Sequence, residues 1–137
     1  IERMKSRYAK MLAYDYTTLF EGWGIGSEGF GGGTVNHAWS GGPLTILSQK
    51  LCGIEPTAPG FKAFEVKPRM GTLKTASASV ETHYGMIRVQ LSRRSAKSGV
   101  ASLTVEVPEG TTATVTASNG RPRTLATGTY SLKIKVD

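Results

Sequence analysis

From Phe64 onward the chain alternates, and that alternation limits its fold more than any other feature. Phe64 and Val66 flank Glu65 and are followed by Lys67, Ile87, Val89 and Leu91 are interleaved with Arg88 and Gln90, and Val105 and Val107 flank Glu106. The pattern resumes with Ala113, Val115 and Ala117 among Thr112, Thr114 and Thr116, and again with Tyr130, Leu132, Ile134 and Val136 among Ser131, Lys133 and Lys135. A period of two puts the apolar side chains on one face of a strand and leaves the other face wet, so each run needs a second layer to cover it. Tyr84-Gly85 and Asn119-Gly120 are hairpin signals, the second stronger because Asn-Gly suits both positive-φ positions of a type I′ turn. Short strands at this spacing, without helices between them, predict an antiparallel β-sandwich over residues 57–137.

The first part of the chain follows another period. Met4, Tyr8, Met11 and Leu12 fall on one helix face, and a second helix is signalled by Gly42-Pro43 with Leu44, Leu47 and Leu51 as its apolar stripe. Gly53 is a candidate left-handed stop, and Pro56 and Pro59 prevent resumption, which sets a boundary between a helical part, 1–56, and the sandwich. Between the helices, Tyr14 to Phe20 reads as a short extended run, and the seven glycines from Gly22 to Gly33 read as a loop that orders on ligand. The chain opens at Ile1 inside a helical pattern, as a cut within a longer protein would, so any compartment signal is out of view.

With 137 residues, 39% of them hydrophobic, there is material for a real core. The net charge of +7 is scattered, its densest patch being Arg93-Arg94 with Lys97, and no basic helix or RNA-binding signature accompanies it, so no nucleic-acid partner is expected. No apolar run approaches the roughly 18 residues of a membrane-spanning helix. Cys52 is the single cysteine, which excludes an intrachain disulfide and two-cysteine zinc motifs, and among Leu47, Leu51 and Ile54 it reads as a buried, inert thiol. His37 and His83 lack further ligands at metal spacing, so neither metal nor cofactor is expected, and His83 reads as structural.

Chemistry concentrates in Thr17-Thr18-Leu19-Phe20-Glu21-Gly22-Trp23 and, across the glycines, Thr34-Val35-Asn36-His37-Ala38-Trp39. An acid, an imidazole and the two tryptophans of the chain are gathered at the loop ends. Sugars are held this way, with the apolar ring face on indole and the hydroxyls on acids, amides and imidazoles. Each residue also has a plainer reading: Glu21 as a surface acid at a loop start, His37 as a hydrogen-bonded structural residue, and Trp23 or Trp39 as core. Asp15 and Glu28 are candidate second acids.

These blocks, with Leu51-Cys52-Gly53-Ile54-Glu55-Pro56, Pro59-Gly60-Phe61-Lys62 and Val66-Lys67-Pro68, resemble in order and spacing the C-terminal part of bacterial α-L-rhamnosidases, glycoside hydrolase family 78. The resemblance covers residues 10–92 closely and the last strands in kind. It implies a multidomain fragment: the C-terminal helical segment of an (α/α)6 catalytic toroid at 1–56, followed by an accessory sandwich at 57–137. By position it implies that Glu21 is the general base of an inverting hydrolysis of terminal α-L-rhamnosides, with His37, Trp23 and Asn36 as sugar-binding residues. Phe20 stands where many members carry Trp, and Gly22 where many carry Arg. The general acid belongs to an upstream motif outside this chain, so the fragment alone is expected to be inactive. The implied partners are a rhamnose-containing glycoside or polysaccharide and the upstream toroid. The parent's compartment stays open among secreted, periplasmic and cytoplasmic. The competing expectation is a non-catalytic sandwich with a structural or weak carbohydrate-binding role.

Overall fold

The alternating runs become strands whose apolar sides meet. The computed structural model describes residues 1–23, 33–118 and 120–136. The chain divides into two units, Ile1–Thr45 and Ile46–Asp137. In the second unit one sheet holds β1 (Ile54–Pro56), β2 (Ala63–Val66), β6 (Thr112–Val115) and β7 (Arg123–Leu125) in the order β1-β2-β6-β7. The other holds β3 (Thr75–Thr82), β4 (Gly85–Ser92), β5 (Val100–Val107) and β8 (Gly128–Lys135) in the order β3-β4-β5-β8. The core lies between them: Ile54, Phe64, Val66, Ala113, Val115 and Leu125 from the first sheet meet Ile87, Val89, Leu91, Leu103, Val105 and Ile134 from the second. Fully burying one such Val, Leu, Ile or Phe side chain contributes about 1.5–3 kcal/mol, so the inward set is what holds the two sheets together.

Three expectations change. The sandwich is not wholly antiparallel, because β2 pairs β6 in parallel, Phe64 beside Ala113 and Val66 beside Val115. The connection between them runs through β3, β4 and β5 of the opposite sheet, and such a crossover delivers a strand in the same direction. The division also falls at Thr45/Ile46 rather than after residue 56. The cause is packing: Cys52 and Ile54 are fully buried in the sandwich core, β1 pairs β2 with Ile54 opposite Val66, and Arg69 N–H donates to the Leu51 carbonyl at 3.0 Å. The expected second helix exists as α2 (Gly42–Ile46) continued by a π-helical turn, Leu47–Leu51, but its stripe is split, with Leu44 exposed and Leu51 packed against the core.

The β3–β4 hairpin turns at His83-Tyr84, with Thr82 opposite Gly85, one residue earlier than the Tyr84-Gly85 signal. Thr82 closes it by donating from Oγ1 to the Gly85 carbonyl at 2.7 Å and accepting from Tyr84 N–H at 3.1 Å. Exposed His83 is therefore a turn residue. The Asn119-Gly120 signal includes Asn119, which lies outside the described residues. Arg93 is no surface cation. Only 8% exposed, it donates from Nε to the Leu73 carbonyl at 2.7 Å, from Nη1 to Ser98 at 3.3 Å and from Nη2 to Gly71, tying the chain before β3 to the β4–β5 connection.

In the first unit α1 is short, Glu2–Tyr8, and gives way to a 3-10 turn at Met11–Ala13. The tighter winding breaks the expected face, since Met11 is buried while Leu12 is 86% exposed. Tyr14 to Phe20 forms no strand. Its rings cluster instead, with buried Phe20 edge-on to Tyr14 and Tyr16 at centroid separations of 5.5 and 5.9 Å.

Candidate active site

Two backbone hydrogen bonds bring the predicted residues together. His37 N–H donates to the Leu19 carbonyl at 2.8 Å and Glu21 N–H to the Thr34 carbonyl at 2.9 Å, so the segments on either side of the glycine loop lie together in antiparallel sense. Side chains reinforce the pairing: Thr18 Oγ1 donates to the Val35 carbonyl, and Ser40 Oγ to the Phe20 carbonyl at 2.5 Å. The loop residues 24–32, including Glu28, lie outside the described residues, and with them the expected ordering on ligand.

Glu21 is held by this pairing. Its Oε2 accepts the Thr34 N–H at 2.9 Å and lies 3.6 Å from His37 Nδ1, with both side chains about one-third exposed. Thr34 Oγ1 is 3.1 Å from the same Nδ1 and 3.4 Å from the Asn36 carbonyl. One hydroxyl proton cannot serve both acceptors. When Thr34 donates to Asn36, Nδ1–H of His37 is the donor toward Thr34 and Glu21, and when Thr34 donates to Nδ1, the imidazole proton sits on Nε2. Gly33 is where it is because the carboxylate fills its space: a Cβ there would stand 2.7 Å from Glu21 Oε2 and 2.8 Å from Glu21 Cβ.

The two indoles take different stations. Trp39 packs on His37 with ring centroids 4.5 Å apart and is 70% exposed. Trp23 meets the edge of Tyr8 at 5.2 Å, with the Arg7 guanidinium 5.7 Å from its ring centroid. Neither is the core residue that the plainer reading allowed. Tyr8 donates to the Ser40 carbonyl at 2.6 Å, and burial raises its phenol above the ordinary value. Tyr8, Met11, Phe20, Glu21, Gly22, Trp23, Trp39 and Ser40 line an open cleft of about 370 Å³. Glu21 and His37 are thus brought together, and Trp23 lines the cleft with Glu21. Asn36 joins through its backbone carbonyl while the residue is exposed. Asp15 is exposed and takes no part in these bonds. Thr34 and Tyr8 had no role at the site in the sequence reading. The spacing of Thr34 from His37, with Gly33 before it, was the available sign, but Tyr8 reads only as one residue of a helix face.

An anchored carboxylate, an adjacent imidazole and aromatic walls can orient a polyhydroxylated ring and draw a proton from water. Residues 53–130 match the family described as bacterial alpha-L-rhamnosidase C-terminal domain. The chain belongs to that family. As a rhamnosidase C-terminal domain it resembles solved structures along nearly its whole length. The native alpha-L-rhamnosidase from Aspergillus terreus is 24% identical with a TM-score of 0.76, covering 92% of this chain and 15% of that one. The alpha-L-rhamnosidase from Dictyoglomus thermophilum is 18% identical with a TM-score of 0.74, covering 91% and 17%. The Streptomyces avermitilis alpha-L-rhamnosidase, solved with L-rhamnose, is 24% identical with a TM-score of 0.67, covering 87% and 14%. The rhamnosidase C-terminal-domain chain therefore spans about one-sixth of these proteins. A comparison with curated protein sequences returns no match.

Proposed function

We propose that this chain is the closing part of a glycoside hydrolase that cleaves terminal α-L-rhamnosides with inversion, and that Glu21 is its general base. The carrying observation is the Glu21 carboxylate, anchored through one oxygen by Thr34 N–H, flanked by His37 and lining a cleft with Trp23 and Trp39. In this reaction one carboxylic acid protonates the leaving oxygen while a carboxylate about 6.5–9.5 Å away takes a proton from the water attacking the opposite sugar face. Glu21 supplies the second group and the longer protein the first. His37, Trp23 and Asn36 orient the sugar. The Streptomyces relative solved with L-rhamnose supports a rhamnose-bearing substrate.

The first unit is proposed to complete a helical toroid, because it has little interior of its own. Among its described residues Met11 and Phe20 are the buried apolar side chains, whereas Leu12, Tyr16, Trp39 and Leu44 are exposed, a ratio suited to packing on further protein. The sandwich is read as an accessory domain. A sugar-stacking module would present a row of rings, yet among the described residues of the second unit Tyr84 is the one exposed aromatic.

The test is Glu21→Gln in the intact parent. Turnover of an aryl α-L-rhamnoside should fall about 10²–10⁴-fold with KM little changed, while His37→Ala should raise KM as well. Proton NMR of the first native product should show the inverted anomer. A retained anomer, or near-normal turnover of the Glu21→Gln enzyme, removes Glu21 from this role. The present chain by itself should release no aryl alcohol.

A further inference from the structure

The charge excess belongs to one unit. The first forty-five residues carry four basic and four acidic side chains, so the whole net +7 resides in 46–137. Within the second sheet the charges are sorted along the strands. The outward face runs in rows: Thr75, Ser92, Ser102 and Lys133, then Ser77, Gln90, Thr104 and Ser131, then Ser79, Arg88, Glu106 and Thr129. The third row is closed by the Arg88–Glu106 ion pair at 2.6 Å, and Glu81 lies beyond it on β3. At the opposite end, Lys135 follows Lys133 on β8, Lys74 precedes β3, and Arg94 and Lys97 occupy the β4–β5 connection. All five are exposed, and none forms an ion pair with a described residue. Asp137, the acid nearest in sequence, lies outside the described residues.

Beside this cationic end the first two rows line an open groove of about 440 Å³, walled by Thr75, Ser77, Gln90, Ser92, Ser102 and Thr104. Hydroxyls and an amide there offer both donors and acceptors, and no aromatic ring stands among them. A base-stacking platform for nucleic acid needs rings, and a protein-docking core needs apolar anchors. This face has no ring, and its exposed large apolar side chain among the described residues is Val100 beside Lys135, too little for a docking core. It has what a chain of hydroxyls and carboxylates would use.

We propose that this end of the sandwich binds an acidic polysaccharide, its carboxylates meeting Lys74, Arg94, Lys97, Lys133 and Lys135 and its hydroxyls entering the Ser/Thr/Gln groove. The site does not involve Glu21, so it stands or falls independently of the hydrolase reading. Attraction between exposed charges is screened over about 8 Å at physiological salt, so binding should be salt-sensitive and fast to exchange. It would hold an acidic polymer through its carboxylates and hydroxyls without recognising any one sugar.

The test is calorimetry or affinity electrophoresis of the whole chain with polygalacturonate, neutral dextran and oligothymidylate at low and high salt. Polygalacturonate should bind at low salt, dextran should not, and oligothymidylate should bind more weakly. The double variant Lys133→Glu/Lys135→Glu should lose about tenfold or more in affinity, as expected when two exposed attractions become repulsions. The same charge change at Arg123, on β7 of the other sheet, and Arg121 just before it should cost much less. Ser102→Ile, which fills the groove without altering charge, should also weaken binding. Equal losses from the two double variants, tighter binding of oligothymidylate, an unaffected Ser102→Ile chain, or no polygalacturonate binding at low salt would each overturn the proposal.

Discussion

Gly53→Ala offers the sharpest test of why the sandwich begins where it does. Gly53 has φ +79, and a Cβ there would lie 2.2 Å from the Lys67 carbonyl carbon, 2.3 Å from its oxygen and 2.5 Å from its nitrogen. The left-handed conformation alone costs a non-glycine residue about 1–2 kcal/mol. The overlap is with backbone, so no rotamer can relieve it, and forced separation of packed groups costs about 1–3 kcal/mol more. Separation also stretches the 2.9 Å hydrogen bond from Lys67 N–H to the Gly53 carbonyl, which sits next to the Ile54–Val66 pair of the β1–β2 ladder. The expected loss is about 2–5 kcal/mol, a large part of the roughly 5–15 kcal/mol that holds a domain folded. Gly60→Ala is the control, for Gly60 has φ +63 but nothing within 4 Å of its added Cβ, so it should lose only the conformational part. Urea unfolding followed by far-ultraviolet circular dichroism measures both. Gly53→Ala falling within about 1 kcal/mol of Gly60→Ala would refute the steric reasoning, leaving only the φ penalty that the two share.

The Cys52 thiol, buried and pushed above its ordinary value by desolvation, should resist iodoacetamide in the native chain and react once urea unfolds it. Because its folded value lies above its unfolded one, its share of stability is complete below the unfolded thiol value and declines as pH rises through the folded one. Cys52→Ser should flatten unfolding midpoints in that alkaline window if the thiol causes the decline. Residues 46–137 expressed alone should give a cooperative unfolding transition with the native β signal. Both tryptophans lie in 1–45, so indole fluorescence in the whole chain follows the first unit separately. A 46–137 chain without a cooperative transition would count against an autonomous sandwich.

Three of the four long strands were legible because each has one wet face, whereas β3, built of Ala, Ser and Thr around Val80 with no side chain fully buried, carried no clear alternation. Ile87, Val89 and Leu91 on β4, and Leu103, Val105 and Val107 on β5, are buried while Arg88, Gln90 and Ser102 are exposed. Glu21 and His37 stood out by residue type, an acid and an imidazole beside the two indoles, though a surface acid and a structural imidazole fit the same letters. Their meeting could not be read, because it depends on Leu19 and Thr34 carbonyls that any residue would supply. The parallel β2–β6 pairing left no local sign for the same reason: Phe64 and Ala113 are neighbours through backbone bonds across a long stretch of chain. β1 was missed because Pro56 marks a helix end equally well, whereas a sheet edge tolerates proline. Arg93 looked like surface charge, since sequence shows a guanidinium but not the carbonyls waiting for it.

The crossing of the chain between sheets has a kinetic consequence. β1 and β2 lie in one sheet, β3, β4 and β5 in the other, β6 and β7 return to the first, and β8 completes the second. As the chain leaves the ribosome, the β3–β5 meander can form early from near-neighbour contacts. β2 must wait for Thr112–Val115, and β5 keeps an open edge until Gly128–Lys135 has been made. Closing such distant pairs requires loop entropy to be lost before any contact rewards it, which slows folding. Neither sheet can finish before the other has begun, so the sandwich should close as one late event, and a nascent chain stalled before β8 should be prone to pair its open β5 edge with a neighbour.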